Sequence, residues 1–141
     1  MAAAPRTQLR ICIDVDDVNR AVDFYTRALG LLPGRRVQDS WAELLGASCP
    51  VDLLAKAEGT SATPAASKVA RAYARHWTPV HLDVVVLDLD EALARALACG
   101  AALEQPVQVR DWGRMANLAD PFGHGFCLLE FQGAGYDALL G

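Results

Sequence analysis

The sequence predicts an α+β fold built as two tandem β-α-β-β-β modules. Three observations carry that reading. Residues 10–18 recur as residues 81–89, a shift of 71 positions that sets Arg10 against His81, Asp17 against Asp88 and, further on, Trp41 against Trp112. Each copy opens on an alternating apolar stretch, meets an Asp and continues with helical periodicity to a glycine, Gly30 or Gly100, the latter one residue out of step. The length of 141 residues, 52% of them hydrophobic, suits one compact domain with a sizeable core.

The elements follow in order. Leu9, Ile11, Ile13 and Val15 form one face of a first strand, and Arg10, Cys12 and Asp14 the other. Asp17 is placed to cap a helix along which Val18, Ala21, Val22, Tyr25, Ala28 and Leu29 recur until Gly30 ends it. Residues 35–39, 41–46 and 51–55 read as three short strands, so the first module spans about 8–55. Residues 56–79 shift toward Ala, Ser, Thr and Gly and form a linker. It contains a helix predicted over 64–76, with Thr63 as cap and Pro64 at its first position. A linker of this length is a candidate cover for a cavity mouth. The second module spans about 80–131. Its strand at 80–87 leads to Asp88 and Glu91 at capping-box spacing, then to Ala92, Leu93, Ala96 and Leu97 on one helical face. Strands are predicted at 107–112, 114–119 and 126–131. The order Asp120-Pro121-Phe122-Gly123 between the last two favours a type I turn. Residues 132–141 read as a loosely docked tail.

Composition excludes several function classes. A net charge of −4 without any basic stripe argues against nucleic-acid binding. No apolar run approaches the roughly 20 residues that span a bilayer, and the start lacks the pattern of a signal peptide, so a cytoplasmic location is expected. Cys12, Cys49, Cys99 and Cys127 are dispersed without a CxxC pair and are expected to be reduced thiols.

Two motifs carry a resemblance. The run Asp17-Val18-Asn19-Arg20-Ala21-Val22-Asp23-Phe24-Tyr25 with Ala28-Leu29-Gly30, and the run from Asp120 to Glu130, resemble the signatures of the vicinal oxygen chelate superfamily. That superfamily includes glyoxalase I, bleomycin-resistance proteins and extradiol dioxygenases, and the resemblance covers Leu9 to Phe131. It implies that the modules curl into a half-open barrel cavity and that the protein is a homodimer. It also maps the four metal-ligand positions of metal-dependent members, usually His, Glu or Gln, onto Arg10, Asp52, His81 and Cys127. Only His81 matches in type. Arg10 offers no lone pair and is always cationic, so no metal cofactor is expected. A divalent metal is disfavoured by Arg10 and Cys127 at ligand positions, although Asp52, His81 and Cys127 leave a three-ligand set.

In this reading Arg10 replaces the charge of the metal, balanced by Asp52, Asp83 and His81, or receives an anionic group of a ligand. Strand alternation gives Arg10, Cys12, Asp14, Asp52, Leu54, His81, Asp83, Val85, Cys127 and Leu129 one parity, that of the cavity. Trp77, which has no counterpart in the repeat, is the candidate aromatic wall. Plainer readings stand beside these: His81 as a satisfied core histidine, Arg10 with Asp52 as a structural ion pair, Cys127 as a small buried hydrophobe, His124 as a turn residue, and Trp41 and Trp112 as equivalent packing sites. The expected function is binding or sequestration of a neutral or anionic small organic molecule through Arg10, Asp52, His81, Asp83, Cys127 and Trp77. The alternatives are a divalent-metal lyase, isomerase or dioxygenase, a metal-free enzyme with His81 as general base, and a partner-binding module with a vestigial cavity.

Overall fold

A computed structural model describes residues 3, 6–63, 65 and 69–141. The chain falls into two compact units, Met1–Thr26 with Gly30–Ala72, and Arg27–Leu29 with Tyr73–Gly141. The linker is thereby divided. Its residues 56–72 go with the first unit and 73–79 with the second.

The first unit holds β1 (Ile11–Val15), most of α1 (Val18–Leu29), β2 (Leu32–Val37), β3 (Trp41–Leu45) and β4 (Val51–Ala55). The sheet order is β1-β4-β3-β2, with β1 parallel to β4 and the other pairs antiparallel. The crossover through α1 is what permits the parallel pair. Asp17 caps α1 by accepting from the Arg20 backbone N–H at 3.0 Å, and Gly30 closes it in the left-handed region at φ 70°. The buried face of α1 is Val18, Ala21, Phe24, Tyr25 and Ala28. Phe24 therefore takes the place that periodicity had given to Val22 and Leu29. In the sheet, Ala42 opposes Leu53 and Leu44 opposes Val51, forming one buried apolar face. Trp41, Glu43, Asp52 and Leu54 lie on the other. Strand β2 starts three residues earlier than the predicted 35–39, because Gly30 turns the chain directly into it.

The second unit holds β5 (Leu82–Val85), α2 (Leu89–Ala98), β6 (Ala102–Leu103), β7 (Gln108–Arg110), β8 (Gly113–Ala119) and β9 (Gly125–Phe131). The order is β5-β9-β8-β6, and β7 also pairs with β8. Of the strand predicted at 107–112 only Gln108–Arg110 forms, as β7, and Ala102–Leu103 adds an unpredicted β6; Pro106, between them, has no N–H to give a ladder. Asp88 accepts from the Glu91 N–H at 3.1 Å, and Leu89, Ala92 and Ala96 bury against β8 and β9. The Asp120 turn forms as predicted. Its Oδ1 accepts from the N–H groups of Phe122 and His124 at 2.8 and 2.9 Å, and Gly123 adopts φ 88°. Leu128 is fully buried at the centre of this unit, so Leu128→Ala is expected to lower stability by roughly 3 kcal/mol in urea unfolding.

Two expectations are corrected. Of the helix predicted at 64–76, residues 64 and 66–68 lie outside the described residues. Residues 69–76 are not helical, and Ala70 instead bridges to Ser61. The tail has no buried residue and meets the sheet through Tyr136, whose ring sits 4.6 Å from Phe131 and 5.2 Å from Trp112. Trp41 and Trp112 are not equivalent. Glu43 opposes Asp52 in one sheet and Asn117 opposes Cys127 in the other, so the partner of Trp41 is Met115. The longer connection ahead of β8 shifts the repeat by three residues.

Candidate functional site

The sequence-predicted residues assemble as two groups, each within its own unit. In the first, Arg10 precedes β1 and reaches the polar face of the sheet. Its Nε and Nη2 donate to both oxygens of Asp52 at 2.8 and 2.7 Å, and Nη2 also donates to Glu43 at 2.6 Å. Trp41 Nε1 donates to Asp52 at 3.0 Å. Arg35 grips Glu43 from the other side at 2.9 and 2.7 Å, with its backbone N–H adding a third donor at 3.2 Å. Gly34 makes room for this carboxylate, since a Cβ there would come within 2.8 Å of Glu43 Oε1.

The electrostatics follow from that geometry. Cross-strand register sets Glu43 directly beside Asp52, and two adjacent carboxylates repel unless cations intervene. Donation from Arg35 and then Arg10 holds Glu43 far below the usual carboxylate range. Donation from Arg10 holds Asp52 low against the opposing effect of burial. The guanidinium of Arg10 is in turn raised by Asp52 and Glu43. Two cations and two anions cancel. Within the first unit the ion-pair reading of Arg10 is therefore the one its contacts support.

In the second group, strand parity sets His81, Asp83, Asn117 and Cys127 on one face of β5, β9 and β8. His81 Nε2 lies 3.1 Å from Asp83 Oδ1. Asn117 Nδ2 donates to Cys127 Sγ at 3.1 Å, and its Oδ1 is held by Gln105 and Gln108 at 2.6 and 3.0 Å. Burial, reinforced by Asp83, pushes the Cys127 thiol up to about 11, so at neutral pH it is a protonated hydrogen-bonding group rather than a nucleophile. The Trp77 ring is 6.3 Å from that of His81 and largely exposed. Trp77, His81, Asn117 and Cys127 border a cleft of about 80 Å³ lined also by Arg75, Thr78, Glu104, Leu118, Gly125 and Phe126. Arg75 and Glu104 form a bidentate pair at 2.6 and 2.8 Å.

Does a metal fit? Within the first unit Arg10 already supplies positive charge and takes both oxygens of Asp52, which makes that carboxylate a poor ligand for a cation. Within the second unit the donor atoms of His81, Asp83 and Cys127 lie within 4.8 Å of one another, the one set among the described residues with ligand spacing. Using it would require the thiol to lose its proton.

Sequence reasoning missed Glu43, Asn117, Arg75 and Glu104. Glu43 shares the parity of Trp41 in a predicted strand, but only the β3–β4 register reveals its neighbour. Arg75 and Glu104 are joined by irregular backbone and left no periodic signal.

The glyoxalase-like domain family model matches residues 10–129. An uncharacterised protein of Mycobacterium tuberculosis strain H37Rv is 31% identical over 124 residues, covering 81% of this chain and 68% of that one. The anthracycline biosynthesis protein DnrV of Streptomyces peucetius is 32% identical over 130 residues, covering 89% of this chain but 42% of that longer one. Among solved structures, a variant of the fosfomycin resistance protein FosX of Listeria monocytogenes, with Mn(II) and a dihydroxypropylphosphonic acid, superposes with TM-score 0.71 at 17% identity, covering 96% and 97% of the two chains. A glyoxalase/bleomycin resistance protein/dioxygenase from Nocardioides gives 0.64 at 20% identity, covering 95% and 89%. No helix is long and apolar enough to cross a membrane among the described residues.

Proposed function

Because the chain belongs to the glyoxalase-like domain family, we propose that it binds a small uncharged organic molecule in the cleft of its second unit, without a metal cofactor. The composition of that cleft carries the reading. Trp77 offers an aromatic face, while His81, Asn117 and the protonated Cys127 offer hydrogen-bonding groups. Arg75 and Glu104 satisfy one another, so the cleft holds no unmatched guanidinium to draw an anion. Its size of about 80 Å³ is well below the roughly 300–1,000 Å³ of drug-sized sites. The group it receives is accordingly a single ring or a short polar head.

Calorimetric titration against neutral, anionic and cationic single-ring compounds tests this. Neutral rings with a hydroxyl or carbonyl edge are expected to bind, and His81→Ala and Trp77→Ala each to weaken them by about tenfold or more. A preference for anions that disappears in Arg10→Ala would move the site to the first unit and end this reading. Near-stoichiometric metal in chelator-free protein, lost in His81→Ala, would end its metal-free part.

The 3.1 Å His81–Asp83 contact favours one second reading, a metal-free enzyme with His81 as general base. A proton on Nε2 directed at Asp83 leaves Nδ1 as the basic nitrogen. In that case His81→Ala loses kcat out of proportion to any change in KM.

A further inference from the structure

We propose that residues 74–78 form a strap across the second-unit cleft, latched by Arg75 on Glu104 and seated on Gly123 and Gly125, and that its release admits the ligand. The strap and latch stand on geometry alone; the role in admission rests on the binding reading above.

Arg75, Trp77 and Thr78 form one side of the cleft, while Cys127, only 5% exposed, lies among the strand residues opposite. Among the described residues, the backbone of 74–80 makes no backbone–backbone hydrogen bond to the sheet. Its bonds are internal, from Thr78 Oγ1 to Val80 O at 2.8 Å and between His76 Nδ1 and Ala74 O at 2.9 Å. What fastens it to the body is the Arg75–Glu104 fork and ring contacts of His76 with His124 and of Trp77 with His81.

The seat is built around two glycines, Gly123 against the backbone of the strap and Gly125 against the end of the Arg75 side chain. A Cβ on Gly123 would lie 2.4 Å from Ala74 O, and one on Gly125 2.6 Å from Arg75 Nη2. Both glycines belong to the turn and strand start that follow Asp120, so that turn shapes the landing for the strap as well as the hairpin. The latch is a side-chain pair still in touch with solvent, each partner about a third exposed, so added salt weakens it. A segment held by side chains and not by a ladder opens locally without unfolding the sheet.

Cys127 is the reporter. Its alkylation by N-ethylmaleimide at fixed pH, read by peptide mass spectrometry, is compared with that of Cys49 and Cys99. Gly125→Ala changes no charge and forces Arg75 off its seat; it is expected to speed labelling of Cys127 by about fivefold or more with the reference cysteines unchanged. Glu104→Gln is expected to do the same, and tryptic cleavage after Arg75, which involves no thiol chemistry, to accelerate in parallel. Raising NaCl from about 20 to about 500 mM should act likewise on wild type. Wild-type labelling and cleavage rates in a Gly125→Ala protein whose circular dichroism is native would overturn the strap. Should that variant not fold, salt-independent labelling and cleavage of the wild type overturn it instead. None of these measurements uses a ligand. A strap that opens in a protein binding none of the ring compounds counts against the binding reading alone.

Discussion

Arg10→Ala is expected to lower Tm at pH 7 by roughly 5–10 °C, and the deficit is expected to shrink as the pH is lowered. Arg10 separates two carboxylates that the β3–β4 register places side by side. Without it, Asp52 keeps only the Trp41 N–H and Glu43 only Arg35. The sign follows from the direction of the shifts. Both carboxyl groups sit below their ordinary values in the native state, so they contribute stability that is complete above the unfolded values near 4 and is lost as the pH falls through the native ones. Wild type forfeits that contribution in acid, and there the variant has nothing further to lose. Thermal melts at pH 7, 5 and 3 read the effect. A small deficit, equal at all three, would mean that Arg10 stands free to receive a ligand and that the ion-pair assignment is wrong.

Gly113→Ala is expected to cost on the order of 3–5 kcal/mol. Gly113 opens β8 opposite Phe131 with φ 149°, a value that L side chains rarely adopt, and a Cβ there would lie 1.9 Å from Glu130 O. No rotamer relieves a clash with backbone, so the β8–β9 ladder must part. Glu130 is then displaced, and with it a hub: its side chain accepts from Arg114 at 3.1 Å and from the Leu89 N–H at the start of α2 at 2.8 Å. Those contacts, Arg114 first, hold its carboxyl at about 2. Losing them returns it toward the ordinary range, so acid unfolding of the variant should begin at higher pH than in wild type. Urea unfolding at pH 7 measures the main effect, and a loss below about 1 kcal/mol would show that the hairpin tolerates the displacement.

Most of the fold was legible in the sequence because its signals are local. Alternation over residues 9–15 and 80–87, Asp17 and Asp88 as caps, Gly30 as a stop and the Asp120 turn each depend on a few neighbouring residues, and each forms. The repeat correctly paired the first strands and helices. It failed at Trp112, because a repeat read from sequence assumes equal connections and the one ahead of β8 is longer. The helix expected in the linker is not formed over 69–76, where Arg71 is drawn to Asp14 at 2.7 Å and Arg75 to Glu104 instead.

For the site, sequence by itself determined which residue types sit on the cavity parity of each strand, and hence that Arg10, Asp52, His81, Asp83 and Cys127 are its candidates. Only the tertiary structure decided which groups surround them. Whether a guanidinium recognises a ligand or neutralises the protein depends on which carboxylates lie within 3 Å of it, and Glu43 enters that circle through strand register alone. Whether a cysteine attacks or donates depends on burial and on Asp83, two residues beyond His81 on a neighbouring strand. Parity is a property of one strand and is written in its residues; charge balance and burial belong to several strands at once, and exist only when they are assembled.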